Sequence, residues 1–214
     1  MEPIQVIIYF CYYLQCFIID YPTCSKMENS WIRRKLQMSN FRFIEENINV
    51  DKVLGEVLDN PHDWGAVTKI KNIAGDLKPY GFLPLTMAVV KKQSDDPHDS
   101  QLQTNTPMFY KYKEIRKWLK SYKCHRHSRA AFFKLKPGGS VGWHIDRGKY
   151  YKTRDRYHFS LQGEYEYSVG DEMHVITPGT FFWFNNKIEH MAYNHSDIDR
   201  ITFVFDVPHS KKNP

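Results

Sequence analysis

The segment AAFFKLKPGGSVGWHID, residues 130–146, decides the fold of this chain. It holds two runs of aromatic and aliphatic residues, joined at the turn residues Pro137, Gly138 and Gly139. Six more such runs follow, and turn residues separate them. The eight runs are AAFFKLKP, SVGWHID, RYHFSLQG, EYEYSVG, EMHVITP, TFFWFNN, HMAYNH and RITFVFDV. Short strands at a spacing of roughly 8–12 residues predict an all-β sandwich or barrel, and eight of them fit a jelly roll, the double-stranded β-helix.

The first half of the chain carries more mixed signals. Apolar residues at helical spacing predict amphipathic helices over residues 43–58 and 107–123. A strand is predicted at Leu83–Val90 and a polar surface loop over Lys91–Thr106. The expected fold class is therefore mainly β (α+β), with flanking N-terminal helices on a cupin-like core. We divide the chain into a hydrophobic, poorly specified extension (1–37), a helical and mixed portion that packs on the core (38–128), the double-stranded β-helix core (129–208) and a C-terminal tail (209–214).

The composition is that of a globular protein. Hydrophobic residues make up 42% of the 214 residues and charged residues 25%. The net charge of +6 permits an anionic partner but is too small to indicate nucleic-acid binding by itself. The four cysteines have neither metal-binding nor disulfide spacing, which favours free thiols in a reducing compartment, so we expect a cytoplasmic protein.

Residues 4–19 form an uncharged, largely apolar run near the N-terminus. A membrane-spanning helix usually needs about 20 apolar residues, and this run has 16. Acidic residues flank it where a signal peptide would have basic and small ones. Membrane anchoring through this run is the less favoured alternative, and we slightly favour an extension upstream of a natural start at Met38.

The segment GWHIDRG, residues 142–148, carries candidate chemistry. His144 and Asp146 are two residues apart, so in a strand both side chains point to the same face. His190 begins the seventh run, and a jelly roll can bring it beside them. Two imidazoles and one carboxylate form the facial triad of non-haem Fe(II) oxygenases, which leaves three metal positions open. Arg200 follows ten residues after His190 and can bind a carboxylate in a bidentate manner.

Two further expectations concern residues close to the candidate metal ligands. Val141 and Trp143 alternate with His144, so we expect both to face away from the metal. Asn185 and Asn186 begin the turn before His190 and could orient the metal ligands.

These motifs resemble the aspartyl/asparaginyl β-hydroxylase family, within the Fe(II)/2-oxoglutarate-dependent oxygenases. The stretches that carry the resemblance are KPGGSVGWHID, RYH, FFWFNNKIEHMAYN and RITFVFDV, and together they cover about residues 129–208. The animal hydroxylases that name the family hold iron with two histidines and lack the carboxylate. Because this chain has Asp146, it is more similar to microbial members with a full triad, some of which hydroxylate free amino acids such as proline.

The resemblance implies a cofactor, a co-substrate and a role for each site residue. Fe(II) would be bound by His144, Asp146 and His190, and dioxygen would be the second co-substrate. Arg200 would bind the far carboxylate of 2-oxoglutarate, and an Arg-x-His pair, here Arg156 and His158, would help hold its chelating end. The implied reaction hydroxylates a C–H bond and converts 2-oxoglutarate to succinate and carbon dioxide.

The substrate is less well defined than the metal site. We expect an amino acid, a peptide or a protein side chain. The loop RGKYYKTRDR, residues 147–156, carries five basic residues and one acidic residue, and it could cover a substrate with a negative group or simply be solvated. The tentative substrate-binding residues are Arg147, Lys149, Tyr151 and Trp183.

Three other functions remain open from the sequence. A nucleic-acid or nucleotide oxidative demethylase would use the same site, but the chain has no clustered basic helix or base-reading module, so we do not expect nucleic acid as a partner. A cupin-like protein could keep the fold and bind metal without catalysis. A zinc hydrolase could also use His-Asp-His, but it would leave Arg200, Arg156 and His158 without a role.

Overall fold

Two antiparallel sheets make up the β-structure of the computed structural model, which describes residues 39–65, 80–91, 95–122, 124 and 127–209. The strands are β1 (Phe41–Glu45), β2 (Tyr80–Ala88), β3 (Gln103–Asn105), β4 (Ala130–Leu135), β5 (Ser140–His144), β6 (Arg154–Gln162), β7 (Tyr165–Val169), β8 (Glu172–Ile176), β9 (Phe181–Phe184), β10 (His190–Tyr193) and β11 (Arg200–Pro208). The helices are α1 (Asp51–Leu58), α2 (Pro107–Lys111) and α3 (Lys113–Ser121), with short 3-10 turns at Pro61–Asp63 and Tyr151–Thr153.

The strand order identifies the fold. The large sheet has the order β1-β9-β6-β11-β4-β2-β3, and the small sheet has the order β5-β10-β7-β8. Each sheet therefore receives four of the eight strands from β4 to β11, and apart from the β7–β8 hairpin each consecutive pair crosses between the sheets. This arrangement is a double-stranded β-helix, and all eight strands predicted from the sequence are present.

Side-chain alternation along β11 separates a structural core from the site. Ile201, Phe203 and Phe205 point to one side of the large sheet, where they pack in a buried cluster with apolar residues of α1 and α3. Arg200 and Val204 point to the other side, where they line a cavity that faces the small sheet. One strand thus contributes both to the core that stabilises the fold and to the wall of the candidate site.

A second core lies between the two sheets. Phe182 and Phe184 of the large sheet pack there against Tyr165, Tyr167 and Val169 of the small sheet. All five side chains are less than 5% exposed. Burial of large aromatic side chains is a strong stabilising contribution, so this core fixes the separation of the sheets around the cavity.

The predicted helix over residues 43–58 is wrong in its first part. Residues 41–45 form strand β1, which pairs with β9 at the edge of the large sheet, and the helix begins only at Asp51. Phe41 is buried in the second core, and burial of this side chain together with strand pairing outweighs the helical pattern. Asn47 has a positive φ of 60°, which separates the strand from the helix.

The predicted helix over residues 107–123 is two helices rather than one. The break is at Tyr112, whose ψ of 88° is not helical. Its buried hydroxyl donates a hydrogen bond to Asp63, and the carboxylate of Glu56 accepts hydrogen bonds from the N–H groups of Lys113 and Glu114. Glu56 therefore satisfies the free N–H groups at the start of α3, which a continuous helix would not have exposed.

The rest of the N-terminal portion extends the large sheet. The predicted strand at Leu83–Val90 is observed as β2, which pairs with β4, and the expected loop Lys91–Thr106 contains the short strand β3. The extension 1–37, the uncharged run 4–19 and all but His209 of the tail lie outside the described residues. Among the residues that are described, no helix is both long and apolar enough to cross a membrane.

Candidate metal centre

The three predicted metal ligands lie together at one edge of the small sheet. The ligand atoms of His144, Asp146 and His190 are all within 4.8 Å of one another. His144 ends β5 and His190 begins β10, and the two residues are direct partners in the pairing of these strands. Their imidazole rings are 4.2 Å apart between centroids. Asp146 follows two residues after His144, just beyond the end of the strand.

Both imidazoles are held by backbone carbonyls. Nδ1 of His144 lies 2.7 Å from the carbonyl oxygen of Gly142, and Nδ1 of His190 lies 2.9 Å from that of Ile188. A carbonyl oxygen can only accept, so each Nδ1 must carry the proton. In the neutral form of either ring, Nε2 is then the nitrogen without a proton and can bind a metal ion.

Asp146 is oriented by two donors to the same oxygen. Arg156 Nη1 lies 2.8 Å from Oδ2 of Asp146, and Nδ2 of Asn186 donates to this oxygen at 2.9 Å. Both contacts use Oδ2, so Oδ1 is left for a metal. Burial alone would raise the pKa of Asp146, but the charge of Arg156 and further favourable contacts hold it below the usual value, so the carboxylate is ionised at neutral pH.

The two histidines differ in exposure. His144 is exposed at the rim of the cavity, whereas His190 is only 2% exposed. Burial lowers the pKa of His190 to about 4, so its imidazole is neutral at physiological pH. The metal centre therefore has one wall open to solvent and one ligand deep in the protein.

A cleft extends from the two histidines into the space between the sheets. It holds about 550 Å³ of empty space, including its opening to solvent. Arg156, His158 and Arg200 line it together with His144 and His190. Five predicted site residues from both sheets therefore surround one cavity.

Arg200 is a buried cation without a described counter-ion. It is 3% exposed, and its buried Nε has no hydrogen-bond partner among the described residues. No described carboxylate forms an ion pair with it. Its guanidinium lies 4.1 Å from the ring centroid of Tyr165. Since an unpaired buried charge is costly, its presence in a cavity wall is typical of a site for an anionic ligand.

His158 and Arg156 share strand β6 but have different partners. His158 is 5% exposed, and its Nδ1 has no hydrogen-bond partner in the described part of the protein. Burial and the nearby charge of Arg200 hold its pKa well below the usual value, so the imidazole is neutral. Arg156, in contrast, contacts Asp146 and Asp206 with all three of its nitrogens.

The four tentative substrate residues do not line this cavity. Arg147 and Lys149 are exposed, and Lys149 pairs with Asp99 at 3.6 Å. Tyr151 is 7% exposed. Trp183 donates a hydrogen bond to Asp155. None of the four side chains therefore lines the cavity, although the ring of Tyr151 lies 4.8 Å from the guanidinium of Arg156, the partner of Asp146.

Val141 departs from its predicted orientation. It lines the cavity with His144 instead of facing away, whereas Trp143 is 53% exposed as expected. The pairing of β5 with β10 is irregular here. His190 pairs with His144 and Ala192 pairs with Val141, so two residues along β10 correspond to three residues along β5. A β-bulge of this kind shifts the alternation of side chains by one position.

Two residues near the site were not predicted from the sequence. Asp206, a single acidic residue in the apolar run RITFVFDV, is 1% exposed and binds Arg156. An acid at such a position is a signal of a buried partner, although the sequence does not say which one. Tyr165 stacks on Arg200, and nothing distinguishes it in sequence from the other aromatic core residues.

Fold and site together define a double-stranded β-helix protein with a His-Asp-His group that could hold a metal ion. A family model described as aspartyl/asparaginyl beta-hydroxylase matches residues 83–210, and the chain belongs to this family. The family predicted from the sequence is thus confirmed, and membership indicates an oxygenase-type enzyme. No curated protein matches the sequence.

Solved structures with some similarity to this chain include cupins. A predicted oxalate decarboxylase from Thermotoga maritima is 20% identical, with a TM-score of 0.34 over 42% of this chain and 73% of the other. The Cnp3 cupin domain from Schizosaccharomyces pombe is 12% identical, with a TM-score of 0.34 over 40% of this chain and 58% of the other.

Proposed function

We propose that this protein is an Fe(II)- and 2-oxoglutarate-dependent hydroxylase that acts on the side chain of an amino acid, a peptide or a protein. The observation that carries the proposal is one cavity with a His-Asp-His cluster at its rim and, in its wall, a buried Arg200 that has no counter-ion among the described residues. The cluster fits a metal ion, and the arginine fits an anionic co-substrate.

The donor set supports Fe(II). Two imidazoles and one carboxylate form the 2-His-1-carboxylate arrangement that leaves positions open on the iron. The hydrogen bonds from Nδ1 of His144 and His190 to carbonyl oxygens keep Nε2 of both rings available. His144, Asp146 and His190 would therefore hold the metal.

The other polar groups of the cavity support 2-oxoglutarate. Arg200 would bind its far carboxylate, because a guanidinium pairs with a carboxylate in a planar, bidentate manner. His158, whose Nδ1 has no described partner, would form a hydrogen bond to the co-substrate. Apolar walls that include Phe133, Leu135 and Val204 exclude water and strengthen these interactions.

When bound, Fe(II) and 2-oxoglutarate supply the oxidising chemistry that uses dioxygen to hydroxylate a C–H bond. The chain's own residues position and shield that chemistry. Exposed His144 places the reacting end of the cavity at its mouth, where a side chain of a substrate can approach. A substrate that enters there contacts the rim rather than the inner wall that holds Arg200.

The proposal is tested by anaerobic titration of the metal-free protein with Fe(II) and then 2-oxoglutarate. A 2-oxo acid that chelates iron at an open facial site gives a weak visible charge-transfer band, which we expect in the wild type and not in His144→Ala. His195→Ala is the matched control, because His195 is exposed and pairs with Glu166 away from the cavity. Absence of the band in the wild type, with tight zinc binding in its place, would overturn the proposal in favour of a hydrolase or a binding protein.

A further inference from the structure

Arg156 lies between two carboxylates at the metal end of the cavity. Its Nη1 contacts Oδ2 of Asp146 at 2.8 Å. On the other side, Nε and Nη2 donate to Oδ1 and Oδ2 of Asp206 at 2.8 and 3.1 Å. The pair with Asp206 is bidentate, whereas Asp146 receives a single nitrogen.

Asp206 is itself fixed from two directions. It is a direct partner of Arg156 in the pairing of β6 with β11, so the sheet sets the distance between their backbones. The hydroxyl of Tyr150 donates to its Oδ2 at 3.1 Å and accepts a hydrogen bond from the N–H of Arg129 at 3.0 Å. Tyr150 is fully buried, and the Arg129 guanidinium lies 3.7 Å from its ring centroid.

Asp146, in contrast, lies beyond the end of β5 and has no strand partner. Its position depends on its backbone N–H, which donates to the carbonyl of Asn186 at 3.3 Å, and on the two donors to Oδ2, Arg156 and Asn186. A carboxylate in a loop needs such contacts to present one oxygen to a metal in a fixed direction.

We propose that Asp206 and Arg156 are positioning residues that hold Asp146 in the orientation of a metal ligand. The inference rests on the metal site of the proposed function. Asp206 binds two nitrogens of Arg156 and so leaves one for Asp146. Without Asp206, Arg156 is free to form a bidentate pair with Asp146, and that pair competes with the metal for both oxygens.

This role differs from the one that the family resemblance implies for Arg156. An arginine that served only the co-substrate would affect the binding of 2-oxoglutarate but not the binding of metal alone. An arginine that orients Asp146 affects metal binding before any co-substrate is added. Metal affinity in the absence of 2-oxoglutarate therefore separates the two roles.

The experiment measures the dissociation constant of Co(II) and of anaerobic Fe(II) for the metal-free protein, together with the visible spectrum of bound Co(II), which reports ligand geometry. Asp206→Asn is expected to weaken metal binding about 10- to 100-fold, the range usual for contacts that orient a metal ligand, and to change the Co(II) spectrum. Asp155→Asn is the matched control, because it also removes one negative charge, from the residue next to Arg156 on β6. The Asp155 side chain contacts Trp183 instead of Arg156. It is expected to leave metal affinity and spectrum as in the wild type.

Arg156→Lys provides a second variant if Asp206→Asn does not fold. Lysine keeps the charge but lacks the planar fork that bridges the two carboxylates, so the same loss of metal affinity is expected. Unchanged metal affinity and Co(II) spectrum in either folded variant overturn the inference while leaving the proposed function intact. A wild type that binds metal but gives no band with 2-oxoglutarate overturns the proposed function, and the variants then still decide the positioning role. A wild type that binds no metal overturns both.

Discussion

The two ends of the cavity contain one arginine each, and the two arginines are treated in opposite ways. At the metal end, Arg156 contacts two carboxylates, Asp146 and Asp206. At the other end, six residues away from Asp206 along β11, Arg200 has no described acidic partner and is more deeply buried. The same type of side chain thus has its charge compensated by two carboxylates in one place and by no described carboxylate in the other.

Under the proposed function, this difference distinguishes an arginine that orients protein groups from one that binds the co-substrate. An arginine that is paired with carboxylates in a network of fixed hydrogen bonds orients its neighbours. A buried arginine without such a partner in a cavity wall is stabilised when an anion binds to it. The sequence motif alone does not distinguish these two roles, because the family resemblance implies that both arginines bind the co-substrate.

The largest effect is expected from Arg200→Met, which removes the uncompensated charge but keeps much of the side-chain volume. Loss of one partner of a buried charge pair costs roughly 2–5 kcal/mol, so the dissociation constant of 2-oxoglutarate should rise at least about 30-fold. Metal affinity should stay as in the wild type, and the ligand-free variant should unfold at a higher temperature, because it no longer buries an unpaired charge. Isothermal titration and thermal unfolding measure these quantities.

Lys134→Met is the control for that prediction. Lys134 also lines the cavity, but it lies 3.8 Å from Asp199 and its ammonium lies over the ring of Trp64. Its replacement should leave the affinity for 2-oxoglutarate nearly unchanged. Equal losses in the two variants would mean that overall positive charge, rather than Arg200, binds the co-substrate.

The core strands were predictable because their signals are local. Short runs rich in β-branched or aromatic residues, several of them alternating and all separated by turn residues, mark the eight strands from β4 to β11 without reference to the rest of the chain. His144, Asp146 and His190 could be proposed together because the jelly roll brings distant strands side by side. His190 pairs with His144 because β10 lies next to β5 in the small sheet, and this neighbourhood could be predicted only once the fold had been recognised.

The remaining features depend on contacts that no local pattern encodes. Strand β1 exists because β9 offers an edge for pairing, although its sequence continues a helical pattern. The break at Tyr112 depends on Asp63 and Glu56, about fifty residues away in the chain. The compensation of Arg156 by Asp206 likewise depends on the register of β6 with β11, so the sequence shows both residues but not their pairing.

Lowering the pH should have an intermediate effect on stability, and this effect arises at the metal end of the cavity and not at Arg200. Burial lowers the pKa of His190 to about 4, whereas an unfolded chain has a histidine pKa near 6.5. Between these values the unfolded state binds a proton that the folded state does not, so stability is retained above pH 6.5 and falls as the pH falls towards 4. For the metal-free protein this contribution is about 2 kcal/mol between pH 7 and pH 5.

Urea unfolding of the metal-free protein at the two pH values measures this loss. His158, whose pKa burial also lowers, adds to it in the same direction. His190→Asn should make the free energy of unfolding differ less between pH 7 and pH 5, because asparagine does not titrate and the contribution of His190 is removed. An unchanged difference in this variant would show that the acid sensitivity arises elsewhere in the protein.

The smallest effect is expected at Tyr165, which contacts the uncompensated arginine through its ring. The ring centroid lies 4.1 Å from the Arg200 guanidinium, and a cation–π contact contributes from roughly 0.5 kcal/mol at an exposed site to roughly 2 kcal/mol when desolvated. Tyr165→Leu should therefore raise the dissociation constant of 2-oxoglutarate about 2- to 30-fold, while Tyr165→Phe, which keeps the ring, should stay close to the wild type. Phe41→Leu controls for packing, because it removes a ring from the same core at a position that does not line the cavity. A loss of affinity in Phe41→Leu as large as in Tyr165→Leu would show that the core as a whole, and not the contact with Tyr165, keeps Arg200 in place.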